Sequence, residues 1–348
     1  MSAQILSIKL AERPTGDIVP GRTFTQVRSP APTAADLKPN QVLVENLYLS
    51  LDPAMRGWLN DARSYVPPVQ IGEVMRGGTI ARVLASTSAN FKEGDLVTAF
   101  GNVWTEILVS SAEQVQLVNL PKGAKVTDGL GVLGMTGMTA YFGMTEIGQP
   151  KAGETVVVSG AAGATGSVAA QIAKIAGARV VGIAGSDDKV RWLKEELGLD
   201  VALNYNDPDF KKKFKEATPN FIDVFWDNVG GEQLDMALGR ANKFARFVEC
   251  GMISGYNANE VVGPKNIRQV VAQRIRMQGF IVFDFIEKYA EAKEQLAKWL
   301  SEGKLQRKET IIKGGLASAE EGLLQLFKGQ NTGKMLVEIK NPDEAARL

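Results

Sequence analysis

The 348-residue chain contains no histidine and one cysteine, Cys250. Zinc is held mainly by Cys and His side chains, so neither a four-Cys structural site nor a Cys/His catalytic site can be assembled. Serine-hydrolase triads and His-based proton relays are excluded on the same ground. Tyr, Lys, Asp, Glu, Ser or water must carry any proton transfer. A lone cysteine rules out an internal disulfide and suits a reducing cytoplasm. No apolar run approaches the ~20 residues of a membrane span, and no signal-peptide pattern opens the sequence. A cytoplasmic protein is the expectation. Net charge is only +1, from 40 basic and 39 acidic residues. No basic stripe points to nucleic acid or a membrane surface, and Lys211-Lys212-Lys213 reads as a solvated helix face.

Hydrophobic residues make up 45% of the chain and charged residues 23%, as in ordinary globular proteins. The length accommodates two domains. One run organises the rest: Glu154-Thr155-Val156-Val157-Val158-Ser159-Gly160-Ala161-Ala162-Gly163-Ala164-Thr165-Gly166, continuing into Val168, Ile172 and Ile175 at helical spacing. Consecutive β-branched residues predict a buried strand, the small residues a tight turn, and the periodic residues a helix. Such a strand–turn–helix reads as a dinucleotide-binding turn, the alternative being a tight turn in some other α/β domain. Gly163 permits close approach of a pyrophosphate, Gly166 lets helix pack on strand, and the N–H groups of the helix start face the phosphates. Ala161 stands where the first glycine of the fingerprint usually sits.

The next strand is expected at Arg179 to Ala184. An NAD site wants an acid about 20 residues beyond the glycines. The tip here reads Ile183-Ala184-Gly185-Ser186, with Lys189 one turn on, which favours a 2′-phosphate and hence NADP. Asp187-Asp188 alongside read as helix N-capping residues.

Residues 1 to about 125 lack strand–helix alternation. Short strands such as Gln41 to Leu47, Gly78 to Leu84 and Leu96 to Phe100 predict a mostly antiparallel, barrel-like domain. Within it, Tyr48, Asp52 and Arg56 share a loop that either lines a pocket or forms a capped turn with Arg56 paired to an acid. Gly134 to Gly143 is rich in small residues, which either pack a helix closely or leave room for a nicotinamide ring. From residue 151 strands and helices alternate, with strands near 155–159, 179–184, 200–204, 221–226, 244–250 and 275–282. That pattern predicts a doubly wound parallel sheet with its ligand beyond the strands' carboxyl ends. A helix over 286–301, a strand over Lys304 to Lys313, a helix over Ala317 to Lys328 and a strand over Lys334 to Ile339 follow. The tail is read as returning to the first domain.

Seven segments in order resemble the zinc-independent branch of the medium-chain dehydrogenase/reductase superfamily. They are the stretches 47–57, 134–141, 160–166, 227–231, 250–257, 278–282 and 331–335. Within that branch they are similar to the alkenal/one double-bond reductases, the family of prostaglandin, plant double-bond and curcumin reductases. The resemblance implies a catalytic (GroES-like) domain over 1–126 and 303–348 and a Rossmann NADP-binding domain over 127–302. It places the pyrophosphate on Gly160, Ala161, Gly163, Ala164, Thr165 and Gly166. Gly185, Ser186 and Lys189 fall at the 2′-phosphate and Tyr205 on the adenine side. Thr139, Asn228, Cys250, Gly251, Ile253, Phe280, Ile281, Val282, Asn331 and Gly333 become further cofactor contacts. Phe280 to Val282 is implied to be a strand that also pairs two copies as a homodimer. Tyr256 and Tyr48 are the implied catalytic residues. Thr136 and Ala54 depart from the family pattern, where proline and an aromatic are frequent, and bear on substrate preference.

The reaction this implies is NADPH-dependent reduction of the carbon–carbon double bond of an α,β-unsaturated aldehyde or ketone. Hydride addition to the β-carbon develops charge on the carbonyl oxygen, which needs a donor such as the Tyr256 hydroxyl. A quinone reductase of the same superfamily and an NADPH-binding structural or sensing protein are the alternatives.

Overall fold

The computed structural model describes residues 3–260 and 262–341. The chain divides into two units, one running to Leu130 and resuming at Glu309, the other spanning Gly131–Lys308.

The first unit opens with a hairpin of β1 (Gln4–Leu10) and β2 (Phe24–Pro30). Strands β3 (Gln41–Ser50), β4 (Gly77–Ser86), β5 (Leu96–Gly101), β6 (Ile107–Ser111) and β7 (Val115–Leu117) follow, all paired antiparallel. Strand β3 carries the fold. A register shift at Asn46–Tyr48 reverses its in–out parity, so Val42 and Val44 before the shift and Leu49 after it face one core. The Asn46 side-chain amide holds the shift by donating to Val103 O (3.0 Å) and Thr105 O (2.7 Å).

The second unit is a six-stranded, all-parallel sheet. Its strands are β8 (Thr155–Val158), β9 (Arg179–Ala184), β10 (Val201–Asn204), β11 (Ile222–Asp227), β12 (Ala241–Glu249) and β13 (Arg276–Gly279), in the order β10-β9-β8-β11-β12-β13. That is the doubly wound order, with its switch point between β8 and β11. The β-branched and aromatic residues that marked these strands are buried on both faces, and Val157, Ile183, Phe225 and Phe247 share one core. The helices are α1 (Met135–Phe142), α2 (Ala164–Ile175), α3 (Asp187–Glu195), α4 (Phe210–Ala217), α5 (Gly231–Leu238), α6 (Ile253–Tyr256), α7 (Gln269–Ala272) and α8 (Tyr289–Ser301). Their close packing explains the small residues of 134–143. A β-carbon at Gly137 would lie 1.8 Å from Val132 O, and one at Gly143 2.4 Å from the Trp226 ring.

The chain returns to the first unit with β14 (Glu309–Ile312), α9 (Ala319–Phe327) and β15 (Lys334–Glu338). Strand β15 lies between β14 and β3.

Three expectations need correction. The strand expected over 275–282 stops at Gly279, because Asp284 Oδ2 accepts the Ile281 N–H at 3.0 Å and starts a 3-10 turn. Phe280, Ile281 and Val282 are therefore not strand residues. For the same reason the helix expected from 286 begins at Tyr289. The strand expected from Lys304 begins at Glu309; Gln306 is instead clamped by Gln171, whose side chain exchanges hydrogen bonds with its main chain at 2.6 and 2.9 Å.

Candidate functional site

Strand β8 ends in a turn whose first residue, Gly160, has φ +57°. The left-handed position thus falls one residue earlier than the fingerprint expects, which is why Ala161 is tolerated. The Ala161 methyl is buried beside Gly182, and its N–H donates to Ile183 O at 2.9 Å. A β-carbon at Gly166 would come within 2.3 Å of Gly160 O, so only glycine fits there. One at Gly163 would meet Gly160 O alone, at 3.3 Å. No side chain caps α2, and Gly163, Ala164, Thr165 and Gly166 present backbone at its start. A turn of bare backbone opening a helix is what a pyrophosphate requires, so the residues fit a dinucleotide.

At the tip of β9, Ser186 is the N-cap of α3 and its Oγ accepts the Lys189 N–H at 3.3 Å. The expectation that Asp187 and Asp188 cap this helix is therefore wrong. Asp187 accepts from Asn204 Nδ2 at 2.9 Å and Asp188 pairs with Arg191 at the surface. Lys189 is half-buried, and desolvation lowers its ammonium pKa. The Tyr205 hydroxyl lies over Gly185, where a β-carbon would be 2.8 Å from it. Gly185, Ser186, Lys189 and Tyr205 thus lie beyond the ends of β9 and β10.

The ends of β11 and β12 hold a network that sequence reasoning missed. Asp227 is fully buried. Its carboxylate accepts from Ser159 Oγ (2.7 Å), Val229 N (2.8 Å) and Gly230 N (2.9 Å). Burial raises its pKa against the pull of these donors. Ser159 Oγ in turn accepts the Asn228 N–H, and Asn228 Nδ2 donates to Ser159 O at 2.7 Å. Asn228 Oδ1 accepts from the Trp226 indole at 3.1 Å. The sequence signals were an acid at a strand end, a common arrangement, and the place of 227–231 among the family-like segments. Glu249 is the register partner of Asp227 on β12. Its Oε1 is buried without a hydrogen-bond partner among the described residues. Burial, and then the Asp227 charge, push its pKa up to about 8. The Cys250 thiol is pushed up to about 12, again by burial first and then by both carboxyls, so it is not a thiolate nucleophile at neutral pH.

Beyond β12, Ile253 opens α6 and its N–H donates to Asn228 O at 3.1 Å. This short helix brings the Tyr256 hydroxyl back over Gly251, whose β-carbon, if it had one, would lie 2.9 Å away. The Met252 N–H donates to the same hydroxyl at 3.3 Å. The sheet edge thereby gathers Gly160–Gly166, Asn228, Cys250, Gly251, Ile253 and Tyr256.

The remaining expected residues fall elsewhere. Thr139 Oγ1 donates to Met135 O at 2.8 Å within α1. Phe280 packs edge-on against Trp226. In the first unit, Tyr48 is buried with Leu47, Ile80, Leu130 and Leu336, its hydroxyl 3.5 Å from Glu338 Oε2. Asn331 Nδ2 donates to Gly333 O at 2.8 Å. Arg56 donates to the carbonyls of Pro14 and Gly16 and to Asn60 Oδ1, a buried structural clasp, with no ion pair to an acid among the described residues.

Residues 7–118 match the family model described as the N-terminal domain of oxidoreductase, and residues 164–301 match one described as zinc-binding dehydrogenase. The chain is 40% identical over 341 residues to the NADPH-dependent curcumin reductase of Escherichia coli, covering 96% of each. It is 40% identical over 302 residues to the NADP(+)-dependent 2-alkenal reductase of Nicotiana tabacum, covering 86% of this chain and 88% of that one. The chain belongs to the zinc-independent medium-chain dehydrogenase/reductase family of alkenal reductases. Its oxidoreductase fold superposes on CurA of Vibrio vulnificus in complex with NADPH with a TM-score of 0.90. That match has 39% identity and covers 97% of this reductase and 100% of CurA. Despite the second model's description, a reductase with no histidine and one cysteine lacks the ligands of a family zinc site.

Proposed function

We propose that this chain is an NADPH-dependent reductase of the carbon–carbon double bond of α,β-unsaturated aldehydes and ketones. The observation that carries the reading is the Tyr256 hydroxyl, held over Gly251 at the carboxyl edge of the nucleotide-type sheet. A phenol hydroxyl can donate a hydrogen bond.

Bound NADPH supplies the hydride that goes to the β-carbon of the substrate. The protein's part is to hold, orient and protonate. The backbone of Gly160–Gly166 holds the pyrophosphate, Ser186 and Lys189 the 2′-phosphate, and Tyr205 the adenine side. Thr139, Asn228, Cys250, Gly251, Ile253 and Phe280–Val282 are the candidate cofactor contacts of the second unit, and Asn331 and Gly333 those that the family resemblance implies in the first. Tyr256 donates to the carbonyl oxygen as negative charge develops there, and Tyr48 is a second candidate donor. The α-carbon takes its proton from Tyr256 or water. With no histidine or metal-ligand set in the sequence, an acceptor already polarised by conjugation is the chemically accessible one. Residues 127–302 form the NADP-binding domain and 1–126 with 303–348 the catalytic, GroES-like one. Among the described residues strand β13 pairs with β12 alone, which supports a homodimer formed along its other edge. Among the described residues no helix is long and apolar enough to cross a membrane, which is compatible with a cytoplasmic reductase.

Steady-state rates with NADPH on a panel of enals, enones and quinones test the reading. Turnover of enals and enones well above quinones is expected. Preference for quinones would move the chain to quinone reduction, and no turnover of any conjugated enal or enone would end the assignment.

A further inference from the structure

Three loops meet at the carboxyl edge of the parallel sheet: the turn after β8, the turn after β11 and the segment after β12. One buried side chain touches the first two, and the same residue's main chain touches the third. The Asp227 carboxylate accepts from Ser159 Oγ in the first loop and from the Val229 and Gly230 N–H groups in the second. Its carbonyl oxygen accepts the N–H groups of Cys250 (2.9 Å) and Gly251 (3.0 Å) in the third. Ser159, so held, accepts the Asn228 N–H, and Asn228 Nδ2 closes the circuit on Ser159 O. Gly160, the left-handed residue that begins the candidate phosphate turn, is the next residue after Ser159 and lies against the Asn228 side chain.

We infer that Asp227 is the positioning residue of the nucleotide site, fixing the Gly160–Gly166 turn and the Asn228 and Gly251 loops in one geometry before NADPH arrives. It touches no cofactor itself. The physical argument is preorganisation: a loop already held in its bound conformation loses less entropy on binding. A buried carboxylate accepting three donors resists rearrangement, because releasing any one leaves a polar group unpaired in a dry site. Glu249, the register partner, fits this arrangement. It stands beside Asp227 in the sheet, and its Oε1 is buried without a hydrogen-bond partner among the described residues.

The inference rests on the proposed pyrophosphate site, and it has a signature of its own. The pyrophosphate is common to NADPH and NADH, so loosening its turn must weaken both equally. Binding of each cofactor by fluorescence titration, beside kcat at saturating NADPH and the melting temperature, is the measurement. Asp227→Asn is expected to weaken NADPH and NADH alike, by ~5–30-fold, with kcat changed less than ~3-fold. Ser159→Ala removes the donor to Asp227 together with the acceptor of the Asn228 N–H and is expected to weaken both by ~3–10-fold. It decides the matter should Asp227→Asn not fold. The double variant should lose less than the two single effects combined, since one of the bonds each variant touches is shared. Loss confined to NADPH, unchanged affinity for both cofactors, or a fall in kcat with affinity intact would each overturn the inference, as would a lowered melting temperature with normal binding. Gly163→Val separates this from failure of the underlying site. If it binds NADPH normally, the turn does not hold the pyrophosphate. If it abolishes binding while Asp227→Asn binds normally, only the positioning role is lost.

Discussion

The hydroxyl of Tyr256 lies over the α-carbon of Gly251, so close that any side chain there would collide with it. Tyr256→Phe keeps the ring and removes the donor. If that donor stabilises charge on the substrate oxygen, kcat on an enone should fall by roughly 10²–10³ while NADPH affinity changes little. Gly251→Ala should displace the hydroxyl without deleting it and give a smaller fall, about tenfold. A Tyr256→Phe enzyme with wild-type kcat would leave the ring as packing only.

Lys189 is expected to discriminate between cofactors. It follows the Ser186 cap, and the neighbouring acids are engaged by Asn204 and Arg191. Lys189→Ala should cost NADPH about 1.5–3 kcal/mol of binding and leave NADH unaffected. Comparing KM for the two cofactors in both proteins checks this, and an unaltered NADPH KM would remove Lys189 from the site.

Glu249 makes stability depend on pH in a defined direction. Its folded pKa, about 8, lies above its unfolded value, so the folded state binds the extra proton. Stability must therefore fall as pH rises from the unfolded pKa toward pH 8, and level off beyond it. Glu249→Gln keeps the neutral shape and should gain roughly 1–3 kcal/mol above pH 8, with little gain near pH 4. Melting temperatures of both proteins across that range are the check. Parallel curves would mean that Glu249 ionises like a surface carboxyl.

Gly143 lies against the Trp226 indole, with the Phe280 ring beside it. Gly143→Ala should overpack this contact and destabilise the protein by about 1–3 kcal/mol. Chemical denaturation measures the change, and wild-type stability would mean that the two rings can move aside.

Much of the second unit was legible because its strands are short, β-branched and separated by helical periodicity, so type and order follow from local pattern. Ends were harder. At 280–282 the run Phe280-Ile281-Val282 reads as strand, yet the Asp284 carboxylate two residues on captures Ile281 N–H and turns the chain. Arg56 left two readings open, lining a pocket or pairing with an acid, because its partners, the carbonyls of Pro14 and Gly16, lie 42 and 40 residues away and carry no side-chain signal. Asp227 was invisible as a positioning residue for the same reason: its donors are two main-chain N–H groups and a serine 68 residues earlier.

The position of β15 sets an order of assembly. On the ribosome the second unit emerges whole, its six strands contiguous in the chain, and can fold as a domain does during synthesis. The first unit cannot. Strand β15 occupies an interior place between β14 and β3, and its buried Lys334 reaches Asp52 and Leu51 O, each at 2.8 Å. Until those residues are made, β3 waits with the Tyr48–Ser50 end of one hydrogen-bonding edge open, the rest of that edge being paired with β6. A nascent chain stalled just before Lys334 would thus carry a finished nucleotide-type domain beside an unclosed sheet, and it is there that a chaperone would have something to hold.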